Sequence, residues 1–274
     1  MRHLLASLLV LLPLAAQAGN VTITEKTLQK GVWEDAECRQ TEMESEMNDP
    51  EYHSTMKCLC GADINYVVLS RLPNADTINA AILERAKNAQ QGMGEPSNEP
   101  ACHGKKVPEP KGDDAVGYTE YTYGIEKAFE NDELLVLSLN AWSYGEGAAH
   151  GNGWSEGLII DKKAGKILEH TDILDASSYK ALNQYIFDQL KTMPESFQYN
   201  CNGTATDSAM CEKEPDAYLS LNKRNLGSLF ADKKGLNILF SPYAVGPYAA
   251  GNIEVPIAEK FVKHPAIKKL YGAK

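Results

Sequence analysis

The stretch LNILFSPYAVGPYAAGNIEVPI, residues 236–257, places two proline-containing turns between two apolar runs of the kind that form β-strands. Proline has no backbone N–H to donate to a sheet, so we expect the first strand to end before Pro242 and Pro247 to hold the excursion rigid. Tyr243 and Tyr248 add large amphipathic side chains, which either pack beneath the sheet or form a binding surface. The stretch therefore predicts a rigid loop between two antiparallel strands.

Outward from this stretch, strands and helices segregate along the chain instead of alternating. The patterned segments are, in order, β-like runs at 20–29 and 64–72, a helical run at 74–91, strand pairs that turn at 130–133 and 162–165, and a helical run at 175–193. This order predicts an α+β fold of antiparallel sheets with helices packed on one face.

A segment crowded with glycine and proline, residues 92–117, indicates a long loop or linker between two sub-domains. We therefore predict a signal peptide at residues 1–18, a small N-terminal α+β domain with its linker at 19–115, and a C-terminal domain at 116–274.

The first residues predict export. Arg2 precedes an apolar run, Leu4–Leu14, and the small-x-small pattern of a secretory cleavage site follows and ends at Ala18. No later window holds about 18 apolar residues without charges, the length that a membrane-spanning helix needs. We expect a periplasmic or secreted protein, cleaved after Ala18, with no membrane insertion.

The chain is acidic, with a formal net charge of −10 that becomes −11 when Arg2 is removed with the leader. This charge argues against nucleic acid as a partner and is compatible with a cationic one. Residues 34–51 hold eight carboxylates against one arginine. That stretch is either a solvated face or a docking surface for a cationic protein.

Six cysteines in an exported chain favour disulfides over metal ligands or reactive thiols. Cys201 and Cys211 bracket a polar loop, and we expect them to bond to each other. Such a short closure contributes roughly 3 kcal/mol on the chain-entropy model.

The other four cysteines leave two pairings open. Cys58 and Cys60 lie two residues apart, which makes a bond between them strained. Each is therefore expected to bond either Cys38 or Cys102, in an order that the spacing does not decide.

The pentapeptide at residues 153–157, Gly-Trp-Ser-Glu-Gly, matches the G-x-S-x-G pattern of a hydrolase nucleophile elbow. Such an elbow needs a helix after the serine, whereas Leu158–Asp161 has a strand-like composition. We therefore predict no catalytic residue and no enzyme, and keep a hydrolase that uses Ser155 as the second alternative function.

His150 lies in a glycine-rich bend, EGAAHGNGW, residues 146–154. The other mature histidines offer it no H-x-H or H-x-x-x-H partner, so the sequence predicts no metal site and no cofactor. A lone histidine in such a bend more often bonds the backbone and fixes the loop.

Three segments in this order resemble the C-terminal domain of RsiV-like proteins: GEGAAHGN at 145–152, LIIDKKAGKILEHTDIL at 158–174 and ADKKGLNILFSPYAVGPYAAGNIEVPI at 231–257. That family includes the lysozyme-sensing anti-sigma factor RsiV and the accessory domain of the peptidoglycan deacetylase PdaC. The resemblance covers about residues 118–262, and residues 55–91 resemble the smaller domain that precedes it. The cytoplasmic anti-sigma segment, the membrane helix and the deacetylase domain are missing from this sequence, so the resemblance does not imply signalling through a membrane.

The resemblance implies that the chain binds a lysozyme-like, peptidoglycan-cleaving enzyme, as an inhibitor or an immunity protein. The partner-binding residues predicted from the two motifs and the adjoining loop are Gly147, Ala148, Ala149, His150, Gly151, Trp154, Tyr243, Gly246 and Tyr248. The alternative is a cell-wall module that binds the peptidoglycan itself, which aromatic platforms such as Trp142 and Trp154 lining a groove would favour.

Overall fold

The computed structural model of the protein describes residues 20–34, 59–91, 102, 104–109, 118–145, 148–193, 218–219 and 227–272. The strands within these residues are β1 (Thr22–Glu34), β2 (Leu59–Ser70), β3 (Lys105–Val107), β4 (Tyr118–Glu130), β5 (Leu134–Tyr144), β6 (Asn152–Asp161), β7 (Lys166–Ile167), β8 (Gly227–Asp232), β9 (Gly235–Phe240) and β10 (Ile253–Pro256). The α-helices are α1 (Ala75–Gln90), α2 (His170–Ile173), α3 (Tyr179–Leu190) and α4 (Pro265–Gly272). The protein is thus of the predicted α+β class.

Seven strands form one sheet in the order β3-β1-β2-β4-β5-β6-β7. All neighbours are antiparallel except β2 and β4, which run parallel from Leu59 opposite Tyr118 to Ile64 opposite Tyr123. β2 and β4 belong to different predicted sub-domains. One sheet therefore contains strands from both sides of the predicted linker at residues 92–117. The domain boundaries themselves stay a prediction.

A second sheet of three strands, β10-β9-β8, lies against one face of the first. The two sheets are in close contact at Gly157 of β6, where a Cβ would overlap the carbonyl oxygen of Leu229 in β8. β9 is buried along its whole length, from Gly235 to Phe240, because it lies in the middle of the small sheet. As predicted, this strand ends before Pro242.

The apolar run of β5 separates two hydrophobic cores, because successive side chains of a strand point to opposite faces. Leu134 and Val136 join the core that contains α3, α4 and the small sheet. Leu135, Leu137 and Leu139 join the core that contains α1. The small sheet and α1 therefore cover opposite faces of the large sheet.

Helices α1 and α3 form where the sequence predicts them, at 74–91 and 175–193. The buried residues of α3 include Leu182, Ile186 and Leu190, which are four residues apart and so lie on one face of the helix. A helix of this kind is stabilised mainly by burying that face against the rest of the fold.

A buried ion pair ties the β4–β5 turn to the β6–β7 turn. The Lys162 ammonium, with 2% of its side chain exposed, donates to a carboxylate oxygen of Glu130 at 2.9 Å and to the carbonyl of Asn131 at 2.8 Å. Glu130, 12% exposed, also accepts from the backbone N–H of Val21 at 3.1 Å and from Lys127 at 3.3 Å. The same carboxylate thus holds the start of β1 against both turns.

A disulfide joins Cys60 in β2 to Cys102, forty-two residues later. It is one of the pairings that the sequence leaves open, and it brings the carbonyl of Cys102 within 3.1 Å of the buried Gln29 amide nitrogen. With Cys102 taken, the sequence prediction leaves Cys38 as the partner of Cys58. Those two residues, the pair Cys201 and Cys211, the leader at 1–18 and nearly all of the acidic stretch lie outside the described residues.

No helix in the described part of the chain combines the length and the apolar composition that crossing a membrane requires.

Candidate functional site

Two loops that are about ninety residues apart in the sequence meet at one end of β6. Residues 148–151 lead into β6, and residues 241–252 connect β9 to β10. β7 pairs with β6 only at Ile160 and Asp161, which leaves the earlier part of that strand edge to other partners. Two serine hydroxyls act as these partners. Ser241 accepts a hydrogen bond from the N–H of Ser155, and Ser228 accepts one from the N–H of Gly157, both at 3.0 Å.

The loops bring together His150, Tyr243 and Tyr248, which we call the aromatic triad. The ring centroids of His150 and Tyr248 are 4.2 Å apart with an interplanar angle of 17°, so these rings stack. The Tyr243 ring lies 6.0 Å from His150 and 5.8 Å from Tyr248. Tyr243 is 42% exposed, His150 is exposed and Tyr248 is half-buried, so the triad is a surface feature.

Hydrogen bonds fix the imidazole of His150 within the triad. Its Nδ1 lies 2.8 Å from the carbonyl oxygen of Gly151, and its Nε2 lies 2.9 Å from the hydroxyl of Tyr243. A carbonyl can only accept, so Nδ1 donates, and in the neutral ring Nε2 accepts from the tyrosine hydroxyl. His150 thus fixes the loop through the backbone, as the sequence indicates, and orients Tyr243 as well.

The backbone of the 241–252 loop adopts two uncommon conformations. Tyr243 has φ +67°, a region that bulky side chains seldom enter and that costs on the order of 1–3 kcal/mol. Gly251 combines φ +66° with ψ −148°, which is essentially open to glycine alone. Such strain persists only where the surroundings over-determine it, so the backbone at Tyr243 is held in place by the residues around it.

Trp142 packs beneath the loop at residues 148–151. Its indole packs so closely on Gly151 that a Cβ at that position would overlap the ring. Trp142 and Tyr144, two residues apart on β5, have nearly parallel rings with an interplanar angle of 10° and centroids 6.2 Å apart. Both rings are half-buried and lie on the face of the large sheet that carries the small sheet.

Uncharged polar side chains connect the loops to the sheet. We call Ser138, Asn140, Ser155, Ser241 and Asn252 the polar patch. Within it, Ser155 Oγ donates to Asn140 at 2.8 Å and accepts from the amide of Asn252 at 2.9 Å. Asn140 in turn donates to Ser138 at 2.9 Å.

Ser155 lies inside the regular strand β6, as its sequence context predicts, and its described hydrogen-bond partners are amides and a serine. We expect Ser155→Ala to leave the protein's function intact and to lower stability by about 1–2 kcal/mol, because it removes the two hydrogen bonds of the hydroxyl. Loss of an esterase or protease activity in this variant, with unchanged far-UV dichroism, would favour the hydrolase alternative.

Trp154 occupies the opposite face of the large sheet from Trp142. It lies across from Ala141 on β5, with its ring 6.0 Å from that of the buried Tyr123. Burial raises the pKa of both Tyr123 and the neighbouring Glu156. The two tryptophans therefore do not line one groove, and the structure does not bring Trp154 to the triad.

The other predicted partner-binding residues fall around the triad or outside the described chain. Ala148 and Ala149 are exposed beside His150, whereas Gly151 and Gly246 are the buried members of their loops. Gly147 lies outside the described residues. Among the residues that the structure describes, no three histidine, cysteine or acidic side chains are grouped to hold a metal ion.

The sequence indicated neither Ser241 nor Asn252 as part of the site. Both are small polar residues at the ends of a loop, where such residues are common, and only the packing of β9 and β10 against β6 brings them to Ser155.

Comparison with known proteins finds one family model that matches part of the chain. Residues 171–259 match the model of DUF3298, a protein family of unknown function. A DUF3298 family member from Bacteroides fragilis has a TM-score of 0.54 at 15% identity, covering 93% of this chain and 99% of that chain. A DUF3298 family protein from Pseudomonas aeruginosa has a TM-score of 0.50 at 14% identity, covering 92% and 98%. At these identities the likeness shows the fold alone, and no curated protein matches the sequence significantly.

Proposed function

We propose that the protein is an exported, RsiV-like binding protein whose partner is a cationic muramidase of the lysozyme type. The aromatic triad is the observation that carries the proposal, because it joins the two motifs of the resemblance at one exposed place. The family match agrees with it, since RsiV C-terminal domains carry DUF3298.

The triad has the chemistry of the centre of a protein interface. Tyrosine supplies a large contact area at little conformational entropy, and interface centres are enriched in aromatic residues and depleted of charge. The loop at 241–252 contains no charged residue. Stacking, the His150 hydrogen bond and the constrained backbone hold the rings before a partner arrives, which lowers the entropic cost of binding.

The charge and the disulfide agree with the partner and the compartment. A chain with a formal charge of −10 attracts a basic enzyme and speeds the encounter. The Cys60–Cys102 bond fits an oxidising compartment such as the periplasm or the cell exterior.

The test is calorimetry of the mature chain against lysozyme-type muramidases of host, phage and bacterial origin. We expect at least one of them to bind, and the affinity to fall as salt rises, because exposed charges are screened beyond about 8 Å at physiological ionic strength. A parallel assay of cell-wall lysis then distinguishes an inhibitor from a protein that binds the muramidase without inhibiting it. The proposal fails if no muramidase binds with a Kd below about 1 mM at low salt. That Kd corresponds to a binding free energy of only about −4 kcal/mol.

A further inference from the structure

The backbone holds His150 of the aromatic triad in one neutral tautomer. Its Nδ1 lies 2.8 Å from the carbonyl oxygen of Gly151, which can only accept, so the ring hydrogen is on Nδ1. A neutral imidazole carries one ring hydrogen, and Nε2 is therefore left with a lone pair. This lone pair lies 2.9 Å from the Tyr243 hydroxyl, so the tyrosine donates its single hydrogen to His150.

This donation fixes the polarity that the Tyr243 hydroxyl presents to a partner. A tyrosine hydroxyl has one hydrogen to donate and lone-pair electrons that accept. With the hydrogen directed at His150, only the lone pairs are left for a second group. Because Tyr243 is 42% exposed, a protein that binds at the triad meets a hydrogen-bond acceptor there.

Ring contacts keep the two side chains in this arrangement. The His150 ring stacks on Tyr248 with centroids 4.2 Å apart, and the Tyr243 ring lies 5.8 Å from that of Tyr248. The backbone of Tyr243 is held at φ +67°. Swinging the whole tyrosine side chain away would break these contacts, so the hydroxyl hydrogen changes direction only by turning about the C–O bond.

The groups around the imidazole are uncharged in the part of the chain that the structure describes. The titratable groups that face it are the hydroxyls of Tyr243 and Tyr248, and the loop at 241–252 contains no charged residue. The indole of Trp142, which packs against the glycine that follows the histidine, is uncharged as well. Glu146, four residues before the histidine, lies outside the described residues. The protonation state of the imidazole therefore sets the charge of this surface.

Acid reverses the direction of the hydrogen bond. Histidine is the side chain that changes charge between about pH 5 and 8, and both nitrogens of the imidazolium are donors. Nε2 of His150 then donates to the Tyr243 oxygen, and the hydroxyl hydrogen must turn away from the imidazole. The outward side of the hydroxyl changes from acceptor to donor, and a positive charge is added to the surface.

We propose that His150, acting through Tyr243, makes the triad specific for a hydrogen-bond donor of the partner, and that binding requires neutral His150. The inference rests on the proposed function for the identity of the partner. The group that meets Tyr243 is an N–H of lysine, arginine or a backbone amide, which a cationic enzyme presents on its surface. Protonation of His150 opposes binding because the hydroxyl no longer accepts and because a charge without a counter-charge enters the interface.

The tautomer is tested in the free protein, without any partner. We expect the nitrogen NMR signals of His150 in the isotope-labelled mature chain at about pH 8 to show a protonated Nδ1 and an unprotonated Nε2. His150→Phe assigns these signals by their loss. A protonated Nε2 at this pH would overturn the inference, because Tyr243 could then not donate to it.

Calorimetry with the tightest-binding muramidase of the test above measures the link to binding. Between about pH 7.5 and 5.5 we expect the affinity of the wild type to fall at least about fivefold more than that of His150→Phe. His150→Phe is the matched control, since it keeps a ring against Tyr248 and cannot take up a proton. Titration of the muramidase itself affects both proteins alike, so equal pH dependence in the two would contradict the inference.

Proton release is a second measurement, and a purely structural role of His150 would not change it. Because the neutral form binds, formation of the complex at about pH 5.5 should release more protons from the wild type than from His150→Phe. The binding enthalpy in buffers of different ionisation enthalpy gives the number of protons. Equal release from the two proteins, or uptake by the wild type, refutes the proton linkage.

Tyr243→Phe separates the hydroxyl from the charge. This variant retains an imidazole that can protonate but has no hydroxyl to reverse, so its affinity should depend less on pH than that of the wild type. If it keeps the full pH dependence, charge alone is responsible and the assignment of a donor group to the partner is wrong.

The same measurements distinguish failure of this inference from failure of the proposed function. If a muramidase binds wild type and His150→Phe with the same pH dependence, the proposed function stands and the inference is wrong. If no muramidase binds, the proposed function fails and the binding part of the inference fails with it, whereas the tautomer result still decides the polarity of the Tyr243 hydroxyl.

Discussion

Tyr243→Ala is expected to weaken muramidase binding at least about 30-fold, because truncating an aromatic anchor at the centre of an interface costs 2 kcal/mol or more. In the free protein this ring is 42% exposed and its backbone is already held at φ +67°. Its loss therefore removes a preformed contact. Calorimetry at fixed salt measures the effect, on a variant whose melting temperature matches that of the wild type.

Two comparisons give this result its meaning. Tyr243→Phe keeps the ring and removes only the hydroxyl that bonds His150, so we expect a change within about fivefold, the worth of one hydrogen bond. Charge reversals in residues 42–51 should mainly slow association and reduce the salt dependence. Binding by Tyr243→Ala within about threefold of wild type would show that the triad is not the anchor of the interface.

Glu130→Gln is expected to lower the free energy of unfolding by about 3 kcal/mol at pH 7, because it leaves a buried ammonium without its counter-charge. In this variant Lys162, with 2% of its side chain exposed, keeps only neutral acceptors. Lys162→Met should cost less, since Glu130 retains the N–H of Val21 and the ammonium of Lys127. Urea unfolding of the two variants measures this asymmetry.

The double variant Glu130→Gln/Lys162→Met is the control for that asymmetry. Removing both charges should restore part of the stability that Glu130→Gln loses, because no unpaired ammonium remains. If Lys162→Met proves more destabilising than Glu130→Gln, the ion pair matters through packing of the lysine stem instead.

The ion pair also predicts how stability varies with pH. Burial raises the pKa of Glu130, but hydrogen bonds from Lys162 and Val21 and the charge of Lys162 outweigh burial and hold it below the ordinary 4.5. A carboxylate with a depressed pKa stabilises the fold above its unfolded-state pKa and ceases to do so as the pH falls through its folded-state pKa. The difference between wild type and Glu130→Gln should therefore shrink below pH 4.5.

Local patterning predicted most of the elements. The helices α1 and α3 carry apolar residues at helical spacing, and the turns at 130–133 and 162–165 are rich in polar residues and glycine. Pro242 marks the end of β9 because proline cannot donate to a ladder. Each of these signals lies within a few residues of the structure that it specifies.

The arrangement of those elements was not predictable in the same way. The parallel pairing of β2 with β4 and the crossing of β8 over Gly157 join residues that are far apart in the sequence. The two motif loops could be named as candidates, yet nothing local places His150 against Tyr248. Trp142 and Trp154 look equivalent in the sequence, and only the register of β5 with β6 puts them on opposite faces.

For the export proposed above, the parallel strand pair determines how the chain would fold as it leaves the export channel with its N-terminus first. β1 and β2 can form their hairpin early, but the outer edge of β2 waits for β4, which begins at Tyr118. Cys102 emerges in that interval, so oxidation to Cys60 can lock the N-terminal strands before the sheet is complete. Until β4 pairs with β2, the exposed edge of β2 can pair with strands of other chains. Slow or interrupted translocation at this stage should therefore produce aggregates instead of partly translocated chains that remain in solution.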